Sequence, residues 1–305
     1  MTPPRVSVVI PSLDGRVDSL LASVARQTLR PAEVEIAVGI RPNGKARNVG
    51  VSRTSGDILV FIDDDAVLGG DDTIARLVQP LLADPSIGVT GTAKLLPPDA
   101  DGWQRRVARE VPRIEHPIVD APLETNPPLD GHGYIEITTT CCAMRRDVFD
   151  AVGGFDNQLV RGVDTEFFYR IRRLGYRFIL VPHTWVYHPA PPTLYALLRK
   201  HFYYGIGFAQ EAQRDSSRGG ARTLATPLHA AAYLIFRTLI LVPNIFLPYS
   251  YSMPSWRPGF KPLKALTSYV ASLGYIYGWY RYPYRGERPA PSPAATTAPP
   301  DGRPS

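Results

Sequence analysis

The sequence predicts an α/β protein with a mostly parallel central sheet covered by helices, followed by a helical C-terminal appendage. Three observations predict it. Strand-like and helix-like stretches alternate from residue 6 to residue 62, the pattern of a parallel sheet with helices on both faces. Residues 58–62, Ile-Leu-Val-Phe-Ile, are apolar without alternation, which reads as a strand buried on both sides. Beyond residue 198 the chain becomes aromatic, basic and helical in period.

Taken in order, residues 6–10 are a β-branched run that ends at Pro11 and Ser12, and Asp14-Gly15 continues the turn. Val17, Leu20, Leu21 and Val24 recur at helical spacing. A second strand is expected over 35–40, a polar loop over 41–44, a helix over 46–52 and the third strand over 58–62. That strand ends in Asp63, Asp64 and Asp65. Adjacent carboxylates at a strand end repel one another unless a cation or hydrogen-bond donors offset them. For three isolated acids a solvated turn or helix cap is the competing reading, and the buried strand in front argues against it. Alternation puts Asp63 and Asp65 on one side, and hard oxygen ligands of this kind suit Mg²⁺ or Mn²⁺ rather than zinc.

A helix capped by Asp71 or Asp72 is expected to run through Leu81, and a strand to follow over 87–93. Residues 97–133 are rich in Pro, Asp and Arg and read as a long irregular excursion, with a short helix near 103–111. Residues 135–144 are β-branched and read as a strand, followed by a helix over 147–152 that Gly153-Gly154 stops. Asp164 opens an amphipathic helix that Gly175 closes. Residues 176–182 return as a strand, 185–188 are extended again, and 194–213 form a helix carrying Tyr195, Phe202, Tyr203 and Phe208.

Composition places the chain among ordinary globular proteins: 305 residues with 44% hydrophobic content bury a sizeable core. The two cysteines, Cys141 and Cys142, are sequence neighbours, which fits a reducing compartment and offers no zinc spacing. Residues 1–5 lead straight into a strand without the pattern of a signal peptide, so a cytoplasmic location is expected. The net charge of +6 is uneven. Between Arg199 and Arg288 twelve Lys and Arg stand against Glu211, Asp215 and Glu287, which gives +9 there and leaves −3 for residues 1–198. A basic block of this kind suits phosphate or anionic lipid headgroups, or is simply a solvated face. Residues 228–249 are mostly apolar but contain His229, Arg237, Pro243 and Pro248, a poor spanning helix and a better interfacial one. Seven aromatics over 269–284 fit a boundary between lipid and water, or packing on the main domain. The Pro/Ala/Thr-rich tail, 289–305, is expected to be disordered.

Five pieces, in order and over residues 5–210, resemble the family 2 glycosyltransferases: VSVVIPSL, ARQTL, GKARNVGVSRTSGDILVFIDDDA, CCAMRRDVFDAVGGFD and GVDTEFFYRIRRLGYRFILVPHTWVYH. The resemblance implies the nucleotide-binding sheet called GT-A in a catalytic domain at 1–210, with 211–288 as a basic appendage for membrane or acceptor. It also implies roles for single residues. Asp63 approaches the donor ribose and takes part with Asp65 in holding Mn²⁺ or Mg²⁺ on the diphosphate, with His188 a further candidate ligand. Asp64 counts with the donor-binding acids, though it points away from the other two. Asp164 is the general base on the acceptor hydroxyl, and Glu166 is the fallback base or a contact to the donor sugar. Pro11, Ser12 and Asp14 line the nucleotide pocket, and Arg47 and Asn48 lie near the nucleotide.

Two departures narrow the reading. The acidic loop that reads the base after the second strand is shortened to Gly39-Ile40-Arg41-Pro42-Asn43, which leaves Arg41 as the substitute contact. The Gln-x-x-Arg-Trp element of processive members is absent where Arg199-Lys200-His201-Phe202 stands, so transfer of a single sugar is expected. The expected reaction is therefore metal-dependent inverting transfer from a nucleotide sugar to a hydroxyl of a glycan or lipid-linked acceptor, in envelope or polysaccharide biosynthesis. Peripheral contact with the cytoplasmic face of a membrane is expected and nucleic acid is not, while homo-oligomerisation stays open. The alternatives are a sugar nucleotidyltransferase and a non-catalytic membrane-bound scaffold on the same fold.

Overall fold

The computed structural model describes residues 4–126, 137–214, 223–246 and 259–286. Its first layer follows the expected alternation: β1 (Val6–Ser12), α1 (Asp18–Ala25), β2 (Glu33–Val38), α2 (Asn43–Ser52) and β3 (Ile58–Ile62). Next come β4 (Val67–Leu68), α3 (Thr73–Ala83), β5 (Ile87–Leu95), α4 (Gly102–Glu110) and β6 (Leu123–Glu124). The sheet region closes with β7 (Cys141–Arg145), α5 (Arg146–Val152), α6 (Val163–Arg173) and β8 (Arg177–Tyr187). Four further helices follow: α7 (Leu194–Arg214), α8 (Pro227–Leu239), α9 (Pro243–Phe246) and α10 (Pro262–Arg281). Residues 289–305 and the last three of the 228–249 segment lie outside the described residues.

The strands form one sheet in the order β2-β1-β3-β7-β5-β8-β4, with β6 also on β8. β1, β2, β3, β5 and β8 run one way, but β7 enters the middle antiparallel to both β3 and β5. The sheet is thus mixed: β4 and β6 also pair antiparallel with β8. Alternation divides β3 between two cores, as an all-apolar strand requires. Ile58, Val60 and Ile62 pack beneath α1 and α3 with Leu20, Leu77 and Leu81. Leu59 and Phe61 face α2, α5 and α6 with Phe149, Phe155 and Phe167. Cys141 and Cys142 fall on opposite sides of the sheet for the same reason, one in each core.

Several boundaries shift from expectation. Asn43 and Gly44 belong to α2 rather than to the loop. Gly44 is needed there, because a Cβ would stand 2.3 Å from the Asp156 carbonyl oxygen. Asp72 precedes α3 without capping it, its carboxylate being taken by Arg76 at 2.5 Å. The extended segments expected at 176–182 and 185–188 are one strand, β8. The domain boundary expected at 210 falls inside α7. α10 lies along α7, and beyond it Tyr284 donates its hydroxyl to Asp156 at 2.7 Å. Of the seven aromatics expected at a lipid boundary, Tyr275 and Trp279 instead pack among the helices, while Tyr277, Tyr280 and Tyr282 stay exposed.

Candidate active site

The acids emerge where β3 leaves the sheet, and the pairing of β4 with β8 decides what they meet. That antiparallel register sets Val67 opposite Tyr187. Extended by one residue it sets Ala66 opposite His188, whose backbone N–H is fixed on the Leu95 carbonyl at 2.9 Å. Asp65 and His188 therefore face each other, with Nε2 and Oδ1 3.3 Å apart. Asp63 completes the group: one ligand atom from each of Asp63, Asp65 and His188 lies within 4.8 Å of the others. Two carboxylate oxygens and an imidazole nitrogen make a donor set suited to a divalent cation of the Mn²⁺ kind.

Each acid is held differently. Asp63 accepts from the Arg47 guanidinium at 2.7 Å, and Arg47 is 2% exposed, stacked 5.5 Å from the Phe155 ring centroid. Burial pushes the Asp65 carboxyl up, but the imidazole of His188 and the ammonium of Lys200 outweigh it and keep the group below its ordinary range. Asp64 turns the other way, onto the Ser12 hydroxyl at the end of β1. Burial, then the charges of Asp65, Asp63 and Asp14, push its carboxyl up against that hydrogen bond. Asp64 is therefore tied into the β1 side of the cleft, and the sequence expectation that it faces away from its neighbours fits this position.

Ser12 also accepts from the Gly15 backbone N–H at 3.0 Å, which closes the turn after Pro11. Asp14 is exposed and paired with Arg16, which holds its carboxyl below the ordinary range. Arg41 is exposed at the start of the loop before α2. Asn48 is a correction: its amide donates to the Phe155 carbonyl and to Asn157, each at 2.8 Å, and accepts from the Phe155 N–H at 2.9 Å. Those bonds latch α2 to the loop after α5 and leave it no amide hydrogen for a nucleotide.

Asp164 stands in the first turn of α6, half-buried, its carboxylate accepting from the adjacent Thr165 N–H at 3.0 Å. Gly162 makes the entry possible with φ of 79°. Glu166 is a second correction. It is fully buried, bonded twice by Arg170 at 2.7 and 2.9 Å, and bonded again by Arg214. Burial pushes its carboxyl up, but the two guanidiniums more than offset this and hold it below the ordinary range. A carboxylate so enclosed is a structural ion pair rather than a base.

One residue of this cleft was not anticipated. Lys94 of β5 is buried and donates to the Arg113 carbonyl at 2.7 Å. Burial pushes its ammonium down to about 8, Lys200 and Arg113 add to this, and the charges of Asp63 and Asp164 oppose it. The one signal in the sequence is a lysine inside an otherwise uncharged strand, IGVTGTAKL.

With strand-end acids, an opposed histidine and a carboxylate at a helix start on one rim, comparison with known proteins decides the family. The model "Glycosyltransferase like family 2" matches residues 2–203, and "Glycosyl transferase family group 2" matches residues 128–281. The chain belongs to glycosyltransferase family 2. Among curated relatives, the succinoglycan biosynthesis protein ExoA of Rhizobium meliloti is 29% identical over 152 residues, which cover 45% of each chain. ExoM of the same organism is 28% identical over 151 residues, covering 48% of this chain and 44% of that one. The matches thus span less than half the length of these relatives. Among solved structures, the family 2 chain is similar to a mannosyltransferase from Pyrobaculum calidifontis in complex with GDP-Man and Mn2+. The TM-score is 0.54 at 17% identity, over 91% of this chain and 87% of that one. At that identity the likeness speaks for the fold, and it is the fold the sequence resemblance implied.

Proposed function

We propose that this protein transfers a single sugar, with inversion, from a nucleotide sugar to a hydroxyl of a glycan or lipid-linked acceptor, and that the reaction needs Mn²⁺ or Mg²⁺. The observation that carries the proposal is the meeting of Asp63, Asp65 and His188 within 4.8 Å. These three residues would hold the ion. A divalent cation there supplies Lewis-acid stabilisation for charge developing on a nucleoside diphosphate. Arg47 orients Asp63 and balances its charge. Ser12, Asp14 and Asp64, beside Pro11, form the nucleotide side of the cleft, with Arg41 at its margin. Asp164 accepts the proton of the acceptor hydroxyl as that oxygen attacks the anomeric carbon, a role its place in the first turn of α6 leaves it free to take. The names of the curated relatives favour a polysaccharide pathway.

The same reading includes attachment to a membrane surface. No helix among the described residues is long and apolar enough to cross a bilayer. Support for a peripheral mode comes from Leu228, Ile235, Leu239, Val242, Phe246 and Phe260, all of them exposed on and around α8 and α9.

The test of the chemistry is donor turnover with Mn²⁺, with chelator, and with Mn²⁺ restored. Nucleoside diphosphate should be released only when the ion is present. Turnover unchanged by chelation overturns the metal assignment, and release of pyrophosphate in its place identifies a nucleotidyltransferase.

A further inference from the structure

α7 runs from the acidic cluster to the helix that carries Asp164, and one of its faces carries a cation and two aromatic rings between them. Lys200, near the start of that face, exerts its charge on Asp65 and on Lys94. One turn later Tyr204 stands on the same face, as i,i+4 spacing requires, and a further turn on Phe208 stacks beside it with interplanar angle 19°. Arg161, three residues before Asp164, lays its guanidinium 5.7 Å from the Tyr204 ring centroid. The close approach is fixed at the backbone, since a Cβ on Gly207 would stand 2.5 Å from the Arg161 carbonyl oxygen. Further along, Gln210 accepts from the Val160 N–H at 2.9 Å and Arg214 bonds Glu166. The register of α7 against the segment leading into α6 is therefore set at several points.

Among the described residues the Lys200 ammonium, the Arg161 guanidinium and the Tyr204 hydroxyl make no hydrogen bond or ion pair with protein. All three are half-buried. Donors left this way are open to acceptor atoms of a ligand, which would displace water from them. Ser12 and the Asp64 it bonds mark the β1 end of the acid cluster. The strip meets that cluster at Asp65, through Lys200, and runs from there to Arg161 in the segment leading to Asp164.

We infer that the α7 face bearing Lys200 and Tyr204, with Arg161 against it, is the acceptor subsite, and that it selects an anionic saccharide. The ring of the sugar lies along the aromatic surface of Tyr204 and Phe208. Its phosphate or carboxylate is taken by Arg161 and Lys200, through charge-assisted hydrogen bonds that a neutral sugar does not offer. This inference rests on the transferase reading above, because it gives the sugar a hydroxyl to present to Asp164.

Three probes separate the outcomes: glucose 1-phosphate, glucuronate and methyl glucoside, each titrated by saturation-transfer NMR into the full chain with Mn²⁺ and a nucleoside diphosphate present. An anionic probe should bind at least about tenfold more tightly than methyl glucoside, since a charged hydrogen bond contributes more than one power of ten in affinity. Whether the phosphate or the carboxylate wins names the anion. Arg161→Gln and Lys200→Gln should each remove most of that preference; melting curves verify that both variants are folded, and Mn²⁺-dependent nucleoside diphosphate binding by Arg161→Gln verifies that the donor side is intact. Equal binding of all three probes by the wild type, or a preference unchanged in both variants, overturns the inference. Absence of nucleoside diphosphate binding by the wild type overturns the transferase reading beneath it.

Discussion

Asp164 and Glu166 are two residues apart and differ in everything that decides where a proton goes. Asp164 is half-buried and, among the described residues, accepts only from its neighbour's N–H, so a lone pair is left for an acceptor hydroxyl. Asp164→Asn should therefore lower kcat by about 10²- to 10⁴-fold, the usual worth of general base catalysis, while calorimetric titration shows Mn²⁺-dependent donor binding preserved. Near-wild-type turnover would remove it as the base. Glu166→Gln should act on the fold instead, because a neutral amide leaves Arg170 and Arg214 uncompensated in a buried site. The expected cost is about 3–5 kcal/mol in chemical denaturation at neutral pH. The folded carboxyl of Glu166 lies below its ordinary value of 4.5, so its stabilisation is present above that value and lost as pH falls through the lower, folded one. The gap between wild type and variant should accordingly close in acid. The sequence placed the two acids alike because both precede the apolar stripe of α6; only the partners, Arg170 one turn on and Arg214 from α7, tell them apart. Asn48 was misjudged for the same reason, its partners lying more than 100 residues away.

Among the elements, those with a strong local period were legible: β1, β3, α3, α6 and α7 lie where apolar spacing puts them. The direction of β7 was not legible, because a five-residue strand, CCAMR, reads the same whichever way it enters the sheet. The pairing of β4, two residues long, was also invisible, and it is what brings His188 to Asp65. Least legible was the contact between α7 and α10, which depends on glycines inside two helices and leaves no signal in the local period. A Cβ on Gly205 would stand 2.0 Å from the Ala271 carbonyl oxygen, and one on Gly274 would stand 2.0 Å from that of Phe202. Two helices this close cannot give way at a backbone atom. Gly274→Val should thus cost at least about 3 kcal/mol, the upper end for overpacking, and lower Tm by several degrees. Gly102→Ala, where a Cβ meets nothing within 4 Å, is the control and should stay within about 0.5 kcal/mol of wild type. If the Gly274 variant melts like the control, the helices do not pack as described.

At the scale of the whole molecule, the basic C-terminal third of the sequence is partly spent inside the protein. Arg214 is bonded to Glu166 and Arg237 to Ser268, so neither is free for a headgroup. Arg199, Arg281 and Arg285 stay exposed, and beside them stands a large apolar set: Leu228 is 77% exposed and Leu239 71%, with Val242 and Phe246 close behind. Insertion of that face should then carry more of any membrane affinity than charge does, since each fully buried side chain of this size contributes about 1.5–3 kcal/mol against about 1 kcal/mol for each cation near an anionic surface. The two terms respond differently to salt, because screening weakens only the second. Co-sedimentation with anionic vesicles should be strong at low salt and fall only partly when salt is raised. Leu239→Glu combined with Val242→Glu should abolish it in both conditions without changing Mn²⁺-dependent nucleotide binding. Complete release by salt with the double variant still bound would put the attachment on charge alone, and a wild type that never sediments with vesicles would remove the membrane from the proposed function altogether.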